Sequence, residues 1–453
     1  MSGAVASLRS GIGLGGGRSR GQARAKAKAK PIEFSLLLTA TMCLLAFGVV
    51  MVFSASSSAS LLGDTGDGAY YLKRTLMFGV FGVIAMRILA VRGLGLVRAA
   101  TPMLLLIAFG LLVATMVPGI GSSANGAQRW IAAGPVQLQA SEIAKVALML
   151  YGVHLLAARP TMTRDLRGMA PFLLVAAGVC ALIVLEPDLG TAMVTAFSVT
   201  ALLIAAGAKL RHLAMIGAVL GVFVVVAVII EPYRMARLTS FLNPTADASG
   251  AGFQGMQASI ALGSGGIFGV GLGESVQKAF YLPEAHTDMI AAVIGEELGL
   301  FGMSLLVGLY MLVGYAGFRT AQRARDRYGR LLAAALTAMI LIQASINLFA
   351  VLGLAPLTGV TLPFVSYGNS SLIVTLAAVG LLLNVAAGGS ASSPSSAGTA
   401  ASRGARRLRV LEGGGERAVP RRSAGGARAA GGDRGRRDGG ARGAGDRRRR
   451  RSR

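Results

Sequence analysis

The chain has 453 residues and a formal net charge of +25, yet 53% of its residues are hydrophobic and only 14% are charged, with a mean hydropathy of +0.62. That balance excludes an ordinary soluble domain and points to a polytopic membrane protein. The positive charge does not indicate nucleic-acid binding, because most of it sits at the ends: residues 1–30 carry seven basic and no acidic side chains, and residues 389–453 carry eighteen Arg against five acidic ones.

Residues 1–33 read as a basic, disordered tail of Gly, Ala and Ser. Ten apolar segments follow, each about the ~20 residues that cross ~30 Å of hydrocarbon. They run Phe34 to Ser56, Arg74 to Val91, Ala99 to Val117, Glu142 to Ala157, Ala170 to Glu186, Leu189 to Ala206, His212 to Ile230, Asp288 to Phe318, Tyr328 to Leu352 and Ser366 to Ala387. The first is too long for a signal-peptide core of about 7–15 residues and reads as a retained anchor. Cys43 and Cys180 fall inside spans as small packing residues. Residues 389–453 form a second disordered tail, which reinforces topology and meets anionic lipid, or docks a cytosolic partner. The expected fold is all-α, with about ten transmembrane helices, both termini cytoplasmic, and a large extracytoplasmic loop, residues 231–287, between helices 7 and 8. This orientation places thirteen basic residues in or beside the inner loops and seven outside, the asymmetry of the positive-inside rule.

Three outward segments concentrate the polar residues. Asn125 to Lys145, NGAQRWIAAGPVQLQASEIAK, holds Arg129 and the single Trp, Trp130, and ends in a helix start. There Ser141 is the expected cap, Glu142 lies at the positive end of the dipole, and Lys145 faces Glu142. A structural ion pair and a site for a phosphate and sugar ligand are both open readings. In EPDLGT, Glu186 to Thr191, Pro187 breaks an apolar run, and Asp188 either caps the next helix or lines a cavity.

The third segment, Glu231 to Thr287, is too long for a simple connection and contains Arg234, Arg237, Lys278, Glu284 and His286. Its Gly-rich stretch from Gly263 to Gly273 lacks the context of a nucleotide fingerprint and reads as a flexible or tightly turned loop. Asp288, Glu296 and Glu297 follow. An ionisable group at a membrane segment costs at least a few kcal/mol and marks function by default. On an ideal helix neither glutamate is a close partner of Asp288, which favours one general base over a carboxylate dyad. Glu296 and Glu297 then hold helices together. A helix N-cap and ion or proton coupling are the other readings of Asp288.

With these residues assembled, the chain resembles the SEDS family (shape, elongation, division and sporulation) from about Phe34 to Ala387. The resemblance rests on NGAQRW at Asn125, QASEIAK at Gln139, EPDLGT at Glu186, GLGESVQK at Gly271, YLPEAHTD at Tyr281, IGEELGL at Ile294 and PLTGVTLPFVSYGNSS at Pro356. GLGESVQK followed by YLPEAHTD is closer to the septal branch than to the elongation branch. The resemblance implies a peptidoglycan glycosyltransferase in the plasma membrane at the division septum. It would polymerise lipid II on the extracytoplasmic face with a class B penicillin-binding protein and other division proteins. Asp288 is then the catalytic residue. Arg129, Glu142, Lys145, Arg234, Arg237, Lys278, Glu284 and His286 are candidates for substrate binding, with the cations facing the departing diphosphate. No cofactor is required by the sequence, and a divalent cation is compatible with that role without any spacing that marks one.

Two positions depart from the family pattern: Ala140 replaces a Pro, and Asn369 replaces a Gly and puts a side chain where backbone freedom is expected. Gln343 and Asn347, four residues apart, are expected to hydrogen-bond between helices, and Gly302, Gly308, Gly314 and Ala334 to offer a face for a partner helix. A lipid II flippase is the competing class, since ten spans with intramembrane carboxylates also suit transport. A non-catalytic division scaffold is the third.

Overall fold

A computed structural model describes residues 31–62, 66–119, 121–124, 127–133, 136–244, 250, 252–279 and 281–390. Almost all of the two predicted basic tails, and Asn125 of the first outer motif, lie outside the described residues. Twelve α-helices are present among them. In chain order these are α1 Ile32–Leu62, α2 Tyr70–Val91, α3 Leu94–Thr115, α4 Ala140–Ala158, α5 Leu166–Leu185, α6 Leu189–Ala206, α7 Leu210–Ile230, α8 Pro232–Leu242, α9 Phe253–Gly265, α10 Ile290–Arg323, α11 Arg327–Val351 and α12 Asn369–Ala386. All except α8 and α9 are long and apolar enough to cross a membrane, which gives the ten expected spans.

Packing divides these helices into a core and a rim. Helices α4, α6, α11 and α12 bury most of their residues, and α11 packs against α4, α6 and α10, while α2 lies along α12 and α1 along α10. By contrast α7 buries only His212 and Ala227, so its exposed Val and Ile side chains belong to a helix with little protein around it. The small residues expected to receive a partner are partly used internally: a Cβ on Gly314 would stand 2.9 Å from Leu341 of α11, and one on Gly302 would meet Leu298 at 2.3 Å.

Two segments expected as outer loops are built structure. Three strands, β1 Gly121–Ala124, β2 Ala127–Ala133 and β3 Val136–Gln139, form an antiparallel sheet, with Trp130 paired to Gln139. The 231–287 segment carries α8 and α9, and its Gly-rich part is fixed rather than flexible. Helix α10 is broken at Gly299, whose φ of 61° and ψ of −157° belong to a region open essentially only to glycine. The break leaves helical carbonyls and amides without partners, and the Gly-rich loop supplies them. Val270 and Gly271 donate to the carbonyls of Glu296 and Glu297 at 3.0 and 3.1 Å, and Leu300 and Phe301 donate to Gly266 and Ile267 at 3.0 and 3.1 Å. Interrupted backbone in an apolar setting is tolerated only when it is satisfied in this way. The approach is close enough that a Cβ on Gly269 would lie 2.1 Å from the Glu297 carbonyl oxygen.

The side chains of the same two glutamates complete the attachment. Glu296 accepts from the Ser275 hydroxyl and, at 3.0 Å, from the Val276 amide. Glu297 is fully buried, pairs with Lys278 at 2.8 Å, and accepts from Ser54 of α1 at 2.7 Å. The expected structural duty of these carboxylates is thus borne out. Lys278, expected to face a diphosphate, is instead neutralised inside the protein, because burying Glu297 requires a cation beside it.

Two outcomes follow from this attachment. Gly299→Ala meets the Gly269 amide nitrogen at 2.4 Å in a conformation alanine rarely adopts, so it should cost at least about 1–3 kcal/mol, read as a lowered unfolding temperature in detergent. Lys278→Met leaves a buried carboxylate unpaired and should cost ~3–5 kcal/mol, most of it recovered by adding Glu297→Gln. Wild-type stability in the single variant would show that the pair is dispensable.

Candidate active site

Asp288 lies in the turn that precedes α10. The N-cap of that helix is Met289, without a side-chain capping bond, so Asp288 is not spent as the cap. Its backbone is held from α11: the Asn347 side-chain amide donates at 2.7 Å to the Asp288 carbonyl and at 2.7 Å to the Val360 carbonyl. One buried NH2 group therefore joins the Asp288 turn to the segment between α11 and α12. A second bond across the same seam runs from the Tyr367 amide to the His286 carbonyl, 2.9 Å. Gly359 faces the carboxyl, since a Cβ there would stand in ordinary contact with Asp288 Oδ2, at 3.9 Å. Arg237 of α8 closes the third side by donating to the Leu357 carbonyl at 3.0 Å.

The Asp288 carboxyl is only 9% exposed. Burial, with the Glu284 carboxylate adding to it, pushes its pKa up to about 6, while Arg237 and the Thr287 hydroxyl pull the other way. Thr287 Oγ1 lies 2.8 Å from Glu284 Oε2 and 3.2 Å from Asp288 Oδ1, so it bridges the two acids. His286 packs its ring 4.2 Å from Tyr71 and 5.6 Å from Tyr367, and burial holds its pKa below the ordinary value.

Beside this turn lies a second polar group. Lys145 pairs with Glu142 at 2.9 Å and donates to Gln343 Oε1 at 2.6 Å, with both charged side chains buried. Gln343 passes the connection to Thr361 O at 3.0 Å. Gln343 and Asn347, one helical turn apart, thus hold neighbouring carbonyls of the same segment and make the expected bonds between elements. The EPDLGT turn meets this segment as well, since a Cβ on Gly190 would stand 2.5 Å from Thr358 O. Asp188 caps α6 by accepting from the Thr191 amide at 2.9 Å and takes a further bond from Gln139 at 3.1 Å. The Glu186 carboxyl is buried and raised to about 7, chiefly by that burial, with one oxygen bonded to Thr115 and the other without a partner.

The structure brings Asp288, Glu284, His286 and Arg237 together, with Glu142 and Lys145 joined to them through Gln343. Lys145 is balanced by Glu142 and so is not a free cation. Arg129 donates at 3.1 Å to the Glu186 carbonyl and also to Pro187, which fixes β2 on the EPDLGT turn. Arg234 donates at 3.0 Å to both Ala227 and Val184, and so ties α8 to α7 and α5. Among the described residues, these two arginines and Arg237 make no salt bridge to a carboxylate, which leaves their charge available to an anionic ligand.

Two finer expectations change. Ser141 is not the cap of α4, which starts at Ala140 after Gln139 with no side-chain cap; its hydroxyl lies 3.5 Å from Asp188 instead. Asn369 needs no glycine-like backbone, because it is the first residue of α12, and its amide donates to the Tyr367 hydroxyl at 3.2 Å. Asn347 holds the Asp288 turn more directly than the sequence conveys. An amide pair inside an apolar span was its signal, and its partner Asp288 is too distant in sequence to be read from spacing.

The sequence model of the cell cycle protein family of FtsW, RodA and SpoVE matches residues 34–390. The chain is 41% identical over 353 residues to the probable peptidoglycan glycosyltransferase FtsW of Trichlorobacter lovleyi, covering 78% of this chain and 92% of that protein. It is 41% identical over 354 residues to stage V sporulation protein E of Bacillus subtilis, covering 78% and 96%. Among solved structures, a chain from work on the structural coordination of polymerization and crosslinking by a peptidoglycan synthase complex superposes with a TM-score of 0.64 at 30% identity, covering 77% of this chain and 96% of that one. Thermus thermophilus RodA superposes with a TM-score of 0.57 at 29% identity, covering 77% and 95%. With a family model matched over most of its length, relatives at 41% identity and a shared fold, the chain belongs to the cell cycle protein family of FtsW, RodA and SpoVE.

Proposed function

We propose that this chain is a peptidoglycan glycosyltransferase that polymerises lipid II at the division septum, with Asp288 as its general base. The observation that carries the reading is the carboxyl of Asp288: it is buried, raised to about 6, and held through its own carbonyl by Asn347. A base near the working pH is mostly ionised yet still accepts a proton readily. Asp288 takes the proton from the 4-hydroxyl of the acceptor GlcNAc as that oxygen attacks the anomeric carbon of the MurNAc on the growing chain. The bond from that carbon to the diphosphate oxygen breaks, and undecaprenyl diphosphate leaves.

Arg237 is the cation nearest this event, and Arg129 and Arg234 likewise make no salt bridge to a carboxylate among the described residues. Positive charge held in place stabilises the departing diphosphate without reorganising during the reaction. Glu284 keeps Asp288 basic and orders the turn through Thr287. Glu142 and Lys145 act by position, through Gln343 and the segment that faces Asp288. Both substrates carry polyprenyl tails, so grooves between helices align them and turn an encounter into a positioned reaction.

The charge asymmetry of the loops supports cytoplasmic termini, with Asp288 on the extracytoplasmic side. The partner in this reading is a class B penicillin-binding protein. A fold shared with a chain of a peptidoglycan synthase complex supports such pairing. A flippase is the alternative outcome of the test rather than a second reading of the site.

Labelled lipid II given to purified protein with its partner in detergent should yield glycan chains. Translocation in liposomes without chain growth would make the protein a transporter. The polymerisation rate should be flat above about pH 6 and fall roughly tenfold per unit below it, because the carboxylate is the active form and is lost as pH falls through its pKa. A rate unchanged from pH 5 to pH 8 would remove Asp288 from that role.

A further inference from the structure

The Gly-rich loop between α9 and residue 276 presents apolar side chains outward. Phe268 is 82% exposed, Ile267 65% and Val276 63%, and Val270 and Leu272 are also exposed. Gly266 to Gly273 carry no charged residue, and the one charge within 266–276 is Glu274, exposed at the end of the loop where it returns toward Ser275. In water such a patch is unfavourable in proportion to its apolar area. Flexibility does not explain it, since four backbone hydrogen bonds fasten the loop to the break in α10 and Glu296 holds its far end.

Helix length gives the loop a level in the bilayer. Beyond its break at Gly299, α10 runs from Leu300 to Arg323, about 36 Å at ~1.5 Å per residue, which is enough to cross the ~30 Å hydrocarbon thickness. Its basic end carries Arg319 and Arg323. About 28 Å of helix separates Arg319 from Leu300, so Leu300 and Phe301 stand at the opposite boundary of the hydrocarbon or within it. These two side chains are exposed, and the apolar exposed face continues from them through Met311 to Tyr315. Phe301 donates its amide to Ile267, which puts the loop at that level. The loop thus continues the lipid-facing surface of α10, and its fastened backbone already satisfies groups that hydrocarbon could not.

We propose that residues 266–276 form a fixed, membrane-dipping apron whose occupant is lipid of the leaflet on the Asp288 side. Because the loop hangs from the carbonyls and carboxylates of Glu296 and Glu297, it anchors the start of α10 to the bilayer surface. The inference rests on the fold and stands apart from the catalytic reading.

The chain has a single Trp, so Trp130→Phe combined with Phe268→Trp creates one reporter in the full-length protein. The variant is reconstituted in phosphatidylglycerol and phosphatidylethanolamine vesicles containing lipids brominated at defined acyl positions. Emission should fall at least twofold with shallow bromines, and acrylamide should quench it several-fold less than free Trp. If Phe268→Trp does not run as a monodisperse species, Leu272→Trp in the same background reads the same surface. Emission insensitive to bromine at every depth, with free access for acrylamide, would overturn the proposal.

Discussion

A single side-chain amide, that of Asn347, holds the backbone of Asp288, the proposed general base. Its NH2 group bonds both the Asp288 carbonyl and the Val360 carbonyl, so the turn before α10 and the segment before α12 are fixed to the same point of α11. Each bond contributes a net ~1 kcal/mol, but leaving two buried carbonyls unsatisfied costs more. The constraint is therefore directional: Asp288 can move relative to Gly359 and Arg237 only if buried hydrogen bonds break. Gln343, one turn away, applies the same restraint at Thr361 and links it to the Lys145 pair.

Charged residues in this protein divide by whether their charge is already balanced. Glu142 with Lys145 and Glu297 with Lys278 are closed pairs, each buried and each completed by hydrogen bonds. Such pairs are expensive to break and contribute little chemistry, since neither member can change its charge cheaply. Asp288 differs. It is buried beside another acid and faces an arginine without a direct salt bridge, which leaves its proton affinity near the physiological range. The arginines at Arg129, Arg234 and Arg237 spend hydrogen bonds on carbonyls and keep their charge.

Much of this was legible in the sequence because it follows from local composition. The ten spans appear as apolar runs, Asp188 as a cap follows from a Pro and a turn, and Asp288 stands out as a carboxylate at the start of a long apolar helix. The rest depends on partners far along the chain. Lys278 looked free because Ser54 and Glu297 are brought to it only by the fold. The break at Gly299 was hidden because a glycine in an apolar run reads as helix, and only the opposing loop supplies the carbonyls and amides that make a break tolerable. The small sheet of β1, β2 and β3 is hidden for a different reason: strands of four to seven residues, even with the alternation of VQLQ, are too short for a period-two pattern to stand out, and pairing with one another gives them their structure.

The most direct measurement of the central claim is glycan-chain synthesis from labelled lipid II by an Asp288→Asn protein that elutes as a single species and retains its penicillin-binding partner. Asparagine keeps the shape of the side chain and the Asn347 clamp on the backbone, and removes only the ability to accept the proton. The account predicts partner binding at wild-type level with polymer formation reduced at least a hundredfold. Glycan chains formed at the normal rate by that variant would contradict it.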